Sequence, residues 1–248
     1  MEYFLTIAAS DSSGGAGIQQ DCKIAHDLGY WALSALTGIT VQNFEKVFAA
    51  EPVNHELLQS QIKNLFQSFP VRTVKIGAVC SKENLMVISN CLKHFPKTHV
   101  VLDPVLASTS GKALFDSSAL HLLKEELFPL CELITPNKNE FELLADCKIN
   151  TLEEGIEIAK EKSREWCTSI LLKGGHFTDA KIREALICKK EVYHFEKKRK
   201  NFDYQHGTGC TLSTAVSCFL GKNESILNSC RLASDYLDQH YSSLQDQF

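Results

Sequence analysis

The amino-acid sequence predicts an α/β fold on a largely parallel sheet, and three observations carry that expectation. Short apolar runs alternate with longer amphipathic ones, as in successive βαβ units. Each apolar run gives way to a polar or glycine-containing stretch, suited to the loops at the carboxyl ends of parallel strands. At 248 residues, 44% hydrophobic and 23% charged, the chain has enough apolar material for one large core.

The first strand is expected at residues 3–9, followed by a helix at 17–28 and a strand at 31–36. A helix at 55–69 comes next, because Leu57, Leu58, Ile62, Leu65, Phe66 and Phe69 recur at i, i+3, i+4 spacing and form one buried stripe. Strands at 73–76, 99–102, 130–134 and 169–172 then alternate with helices at 82–94, 117–128, 139–145 and 151–164. Residues 181–187 and 191–197 break the rhythm: two extended runs around Cys188-Lys189-Lys190 form a hairpin. Helices at 208–220 and 224–241 complete the chain. With no repeat, low-complexity tract or linker, residues 1–248 read as one domain.

Lys and Arg number 26 against 30 Asp and Glu, so no global charge attracts nucleic acid or acidic lipid, and the ligands are expected to be small. The basic run Lys197-Lys198-Arg199-Lys200 sits near Glu191 and Glu196 and reads as a solvated hairpin. Ten cysteines lie scattered, none in a C-x-x-C, which argues against a zinc ribbon and for reduced core thiols in a cytoplasmic protein. Residues 1–9 lack a basic leader region, and no apolar run reaches the ~18 residues a membrane span needs.

Five segments carry residues suited to chemistry. His206-Gly207-Thr208-Gly209-Cys210-Thr211 precedes an apolar helix, where free N–H groups and the positive helix end favour an anion. Cys210 at that helix start is expected to have its thiolate favoured by the dipole, as a base towards a substrate hydroxyl or as a nucleophile. Taken alone, the glycines also describe a plain turn. Ser10-Asp11-Ser12-Ser13-Gly14-Gly15-Ala16-Gly17 leads from a strand into a helix, but Gln20 breaks the G-x-G-x-x-G spacing and no Walker loop occurs. Asp103-Pro104-Val105 puts a carboxylate at a strand end, where it would hold Mg²⁺ through water or cap the loop. In Thr135-Pro136-Asn137-Lys138-Asn139-Glu140, Asn137 and Glu140 share a helix face, which fits a hydrated Mg²⁺ or a simple N-cap. Lys173-Gly174-Gly175-His176 offers a lysine to a phosphate, or to solvent.

The ordered set resembles the hydroxymethylpyrimidine/phosphomethylpyrimidine kinases of thiamine biosynthesis, in the ribokinase-like superfamily, from about Ile7 to Leu220. The resemblance implies a three-layer α/β/α sandwich, ATP with Mg²⁺, commonly a homodimer, and phosphorylation of 4-amino-5-hydroxymethyl-2-methylpyrimidine and then of its monophosphate. It implies that Asp21 and Gln42 hydrogen-bond the pyrimidine, with Ala9 and Gly77 lining its pocket. Asp103, Asn137, Lys173 and Thr208 would serve the ATP phosphates, and Asp103 and Glu140 the Mg²⁺. Gly207, Gly209 and Cys210 would form the anion hole, Cys210 standing where the superfamily's sugar kinases carry a catalytic aspartate. Ala9 and Ala78 depart from the usual glycine and methionine beside the pyrimidine pocket, and residues 201–205 differ from the usual short approach to the last loop. Alternatives on the same scaffold are a pyridoxal or pyridoxamine kinase and a non-catalytic pyrimidine sensor.

Overall fold

The computed structural model describes residues 1–108, 111–175, 181–189, 191–199 and 206–245; His176, Lys190, Lys200 and residues 201–205 lie outside them. The elements are β1 (Glu2–Ser10), α1 (Gly17–Asp27), β2 (Tyr30–Gln42), β3 (Val47–Pro52), α2 (His55–Ser68), β4 (Thr73–Ile76), α3 (Lys82–Leu92) and β5 (His99–Leu102). A run of short helical turns over 117–130, including α4 (Leu120–Leu122), leads to β6 (Leu133–Ile134). Then come α5 (Lys138–Ala145), α6 (Leu152–Glu165), β7 (Ser169–Leu172), β8 (Lys181–Cys188), β9 (Glu191–Lys198), α7 (Thr208–Gly221) and α8 (Ile226–Gln245).

Among the described residues nine strands form one sheet in the order β3-β2-β1-β4-β5-β6-β7-β8-β9. The six from β2 to β7 in that order are parallel, while β3 at one edge and the β8–β9 hairpin at the other are antiparallel. The chain runs outward from β1 to β2 and then returns to the other side of β1 with β4. Loops at the carboxyl ends of parallel strands meet at such a reversal and leave a crevice.

Strand side chains alternate between the faces and make two cores. Val100, Leu102, Ile170 and Leu172 point to the face covered by α2, α3, the 117–130 turns, α5 and α6. Val101, Leu133 and Leu171 point to the face covered by α1, α7 and α8. Each buried Leu, Ile or Val contributes about 1.5–3 kcal/mol. The three-layer α/β/α arrangement therefore follows from strands that are apolar on both faces.

The pattern of the sequence was incomplete in two places. Strand β2 continues six residues beyond the expected 31–36 and pairs with β3, which the sequence did not suggest. In that extension the alternation is inverted: Thr37 and Thr40 are buried, while Ile39 and Val41 are 56% and 59% exposed. An apolar-inward template finds no strand there. The second is the expected strand at 130–134. Phe128, Pro129 and Leu130 form a helical turn, and only Leu133 and Ile134 pair with β5. Among the described residues, no helix is long and apolar enough to cross a membrane.

Candidate active site

Strand ends fix the first row of functional groups. Gly77, Asp103 and Thr135 each lie one residue beyond a strand, yet each still donates its backbone N–H to the neighbouring strand, to Ile7, Ile76 and Leu102 respectively at 2.9–3.0 Å. Their side chains inherit the geometry of the sheet. Asp103 Oδ1 meets Lys173 Nζ at 2.8 Å and accepts a bond from the Thr135 hydroxyl at 3.3 Å. Burial alone would raise the Asp103 pKa, but the ammonium groups of Lys173 and Lys75 hold it below the ordinary carboxylate range. Lys173 is mostly shielded from solvent, and Asp103 and Glu140 keep it charged.

Asn137 and Glu140 form a complete capping box on α5: the Asn137 side chain accepts the Glu140 N–H at 2.9 Å, and Glu140 accepts the Asn137 N–H at 2.7 Å. The capping reading of these letters is therefore present. The same box aims Glu140 at Lys173, 3.9 Å away. Burial raises the Glu140 pKa to about 7; Lys173 pulls it down and Asp103 pushes it back up.

Helix α7 supplies the opposite wall. Gly207 has a φ of +80°, and a Cβ there would lie 1.9 Å from the Gly15 carbonyl oxygen, so only glycine lets the two loops touch. Among the described residues α7 has no side-chain N-cap and no acidic residue in its first turn, unlike α2, α3, α5 and α6, which are capped by Asn54, Ser81, Asn137 and Thr151. The N–H groups of Thr208, Gly209 and Cys210 are thus left for a ligand. This turn faces the ion pair, since a Cβ on Gly209 would sit 3.4 Å from Asp103 Oδ2 and 3.5 Å from Lys173 Nζ.

The floor beneath Cys210 is an ion pair. Lys75 Nζ lies 2.9 Å from both oxygens of Asp21, and neither side chain has any exposed surface. Thr6 and Thr214 also donate to Asp21, at 2.6 and 2.8 Å. Asp21 was expected at the pyrimidine; the structure places it under the site with its oxygens engaged. Sequence reasoning assigned no role to Lys75. Its signal was a lysine between Val74 and Ile76 in a four-residue, fully buried strand.

Cys210 departs from expectation. Although Cys210 is only partly shielded from solvent, burial raises its thiol to about 11, with Asp21 and Asp103 adding to the shift and Lys75 and the Gly17 N–H opposing it. Burial is the largest cause, and the resting group is a neutral thiol.

On the other side of the cleft, Asp11 accepts the N–H groups of Ser13, Gly15 and Ala16 and lies 3.0 Å from His206 Nε2. Burial raises the Asp11 pKa, but the bonds from His206, Ser13 and Ala16 outweigh it and hold the carboxyl well below its usual range. The Gln42 amide lies 3.4 Å from the same His206 nitrogen. Ala9 is buried, and Gly77 packs against Ala8 and Lys75. The Asp11–His206 contact joins motifs 195 residues apart and had no signal in spacing alone. In the basic hairpin, Lys197 pairs with Asp238 at 2.9 Å.

The family model described as phosphomethylpyrimidine kinase matches residues 11–246. The chain belongs to that family. It is 37% identical over 234 residues to the hydroxymethylpyrimidine/phosphomethylpyrimidine kinase of Rhizobium meliloti, across 94% of this chain and 88% of that one. It is 35% identical over 94% of its length to a thiamine biosynthesis bifunctional protein of Geobacter sulfurreducens, of which it spans about half (48%). Among solved structures, a phosphomethylpyrimidine kinase from Clostridium difficile 630 superimposes with a TM-score of 0.85 at 34% identity, over 97% of this chain and 99% of that one. A Bacillus subtilis pyridoxal kinase in complex with ADP gives a TM-score of 0.85 at 28% identity, over 95% and 89%.

The buried pair gives this family member a measurable dependence. Lys75→Met leaves Asp21 buried and uncompensated and is expected to cost about 3–5 kcal/mol, read as a lower urea midpoint. Adding Asp21→Asn should recover more than half of the loss. A single-variant cost below about 1 kcal/mol would show that the pair does not hold the floor together.

Proposed function

We propose that the chain transfers the γ-phosphoryl group of ATP to the hydroxymethyl oxygen of 4-amino-5-hydroxymethyl-2-methylpyrimidine, and then phosphorylates the resulting monophosphate. The observation that carries this reading is the uncapped first turn of α7 facing the Asp103–Lys173 pair. Phosphoryl transfer asks a protein mainly to position groups and stabilise charge. Backbone N–H groups of Thr208, Gly209 and Cys210 on one side and the Lys173 ammonium on the other suit the equatorial oxygens of a phosphoryl group in transfer.

The carboxylates fit a Mg²⁺ ion held largely by substrate. Among the described residues no three acidic, His or Cys side chains cluster into a cage. Asp103 and Glu140 share one lysine, and Glu140, raised to about 7, gains from an added cation. Two carboxylates with waters and phosphates form the usual Mg²⁺ shell. Asp103 and Glu140 would hold the ion, which would neutralise charge on the triphosphate when bound.

On the acceptor side Gln42 reads the aminopyrimidine edge, where an amide offers both donor and acceptor, within the pocket that Ala9 and Gly77 help to close. Asp21 acts from below, tying α1 to β4 through Lys75 and to α7 through Thr214. Cys210 receives the hydroxyl proton. It does so as the thiolate, formed when the resting thiol loses its proton to solvent; that form is a roughly 10⁻⁴ fraction at pH 7 for a thiol near 11, and it takes the hydroxyl proton late, as the P–O bond forms.

Three measurements test this scheme. ADP release should follow addition of the hydroxymethylpyrimidine and of its monophosphate, with pyridoxal at least about tenfold slower; turnover of pyridoxal alone would overturn the substrate assignment.

The second concerns the thiol. In the wild type kcat should rise with pH between 8 and 10 as the thiolate fraction grows. Cys210→Ala should lower kcat on the order of 10²-fold, with KM within about threefold, and abolish that rise. A slope that survives the substitution gives the proton to another group.

The third concerns Glu140. Its pKa is higher in the folded protein than in the unfolded chain, so its stabilising contribution is complete at acid pH and is lost as pH rises through about 7. Glu140→Gln keeps a capping side chain and should raise the apoprotein's stability at pH 8.5 by roughly 1–3 kcal/mol, with little change at pH 5, while lowering kcat. Equal stability of the two proteins at pH 8.5 would contradict the raised pKa.

A further inference from the structure

The anion loop has a weakness that α7 does not remedy. Gly207 and Gly209 bring little rigidity of their own, and no described side chain caps the helix they begin. A chain of hydrogen bonds reaches this loop from the C-terminal helix. Tyr241 of α8 is 1% exposed, and its hydroxyl donates to the His206 carbonyl at 2.9 Å. That hydroxyl lies 3.4 Å from Thr211 Oγ1, and Thr211 in turn accepts from Gln20 Nε2 at 3.1 Å.

The donors set the direction. A Gln amide N–H can only donate, and the His206 carbonyl can only accept. The two hydroxyls between them must therefore each accept once and donate once, running Gln20 to Thr211 to Tyr241 to His206. Bonds aligned in this way polarise one another, and the shortest of them, at 2.9 Å, is the one on the His206 carbonyl. The chain ends on the residue whose ring meets Asp11 and approaches Gln42, and whose successor opens the N–H cradle.

Resting on the kinase reading above, we propose that Tyr241 is a positioning residue for phosphoryl transfer: its hydroxyl fixes the backbone at His206 and so sets both the α7 cradle and the His206–Asp11 contact. It touches no reacting atom. Its effect should therefore fall on kcat, through misplacement of the cradle by a fraction of an ångström.

Tyr241→Phe removes one hydroxyl and keeps the buried ring. Tyr236 provides the comparison: it ties α8 to α1 through Asp27 at 2.8 Å, away from the loop. Kinetics with ATP and the hydroxymethylpyrimidine should give a kcat about tenfold below wild type for Tyr241→Phe, with both KM values within about threefold and the Tm within about 2 °C. Tyr236→Phe should keep kcat within about twofold of wild type. The proposal fails if Tyr241→Phe retains kcat, if both variants lose it equally, or if the loss follows a fallen Tm. Should Tyr241→Phe not melt cooperatively, Thr211→Val breaks the same chain and is judged by the same criteria. A wild type that releases no ADP defeats the kinase reading, whereas an active wild type matched by an equally active Tyr241→Phe defeats only the role of Tyr241.

Discussion

The structure turns on one buried charge pair. Removing Lys75 and Asp21 from water is costly, and their attraction offsets that cost only when the remaining lone pairs are satisfied. Here Thr6 and Thr214 complete the shell of Asp21 at 2.6 and 2.8 Å. The four residues come from β4, α1, β1 and α7, so these elements cannot shift relative to one another without exposing a bare charge. They are also the elements that carry Gly77, the Ser10–Gly17 loop and the anion loop. A rigid floor beneath mobile substrates is what positioning catalysis needs.

On that floor the site is built from backbone as much as from side chains. The staggered ends of β4, β5 and β6 place Gly77, Asp103 and Thr135 in register, each still tied to its neighbouring strand. Helices α1 and α7 both begin here without a side-chain cap from their own N-cap residues, and Asp11 draws the Gly15 and Ala16 N–H groups together before α1. The start of α7 and the Lys173 ammonium thus meet beside Asp103, so N–H groups and a cation are set for phosphate oxygens next to carboxylates set for a bound cation.

Much of this was legible in the sequence because it is local. Strands at Thr73–Ile76, His99–Leu102 and Ser169–Leu172 stood out as apolar runs with sharp polar ends, and the glycines of the last loop announced a helix start. Contacts across the fold were not legible. Lys75 has no assigned role in the sequence reading, since its partner on α1 lies 54 residues away, and His206 meets Asp11 across 195 residues. The extension of β2 escaped because it buries threonines and exposes Ile39 and Val41, reversing the template that identifies strands. The thiol of Cys210 was misjudged for a similar reason. A helix dipole can be read from position in the sequence, but depth of burial cannot.

That depth also explains why a cysteine suits position 210. The floor already holds Asp21 and Asp103, and both push the Cys210 thiol upward in pKa. A carboxylate in its place would add a third negative charge to a buried setting with Lys75 and Lys173 as counter-charges. Part of that cost is visible at Glu140, whose pKa is raised to about 7 by burial and by Asp103 despite Lys173 nearby. A thiol avoids the conflict by remaining neutral at rest, so the anion loop stays uncharged and open to phosphoryl oxygens. It acts as a base only in the minor fraction of molecules whose thiol has first lost its own proton to solvent. The same burial that makes Cys210 a poor thiolate is therefore compatible with its place at the reacting centre.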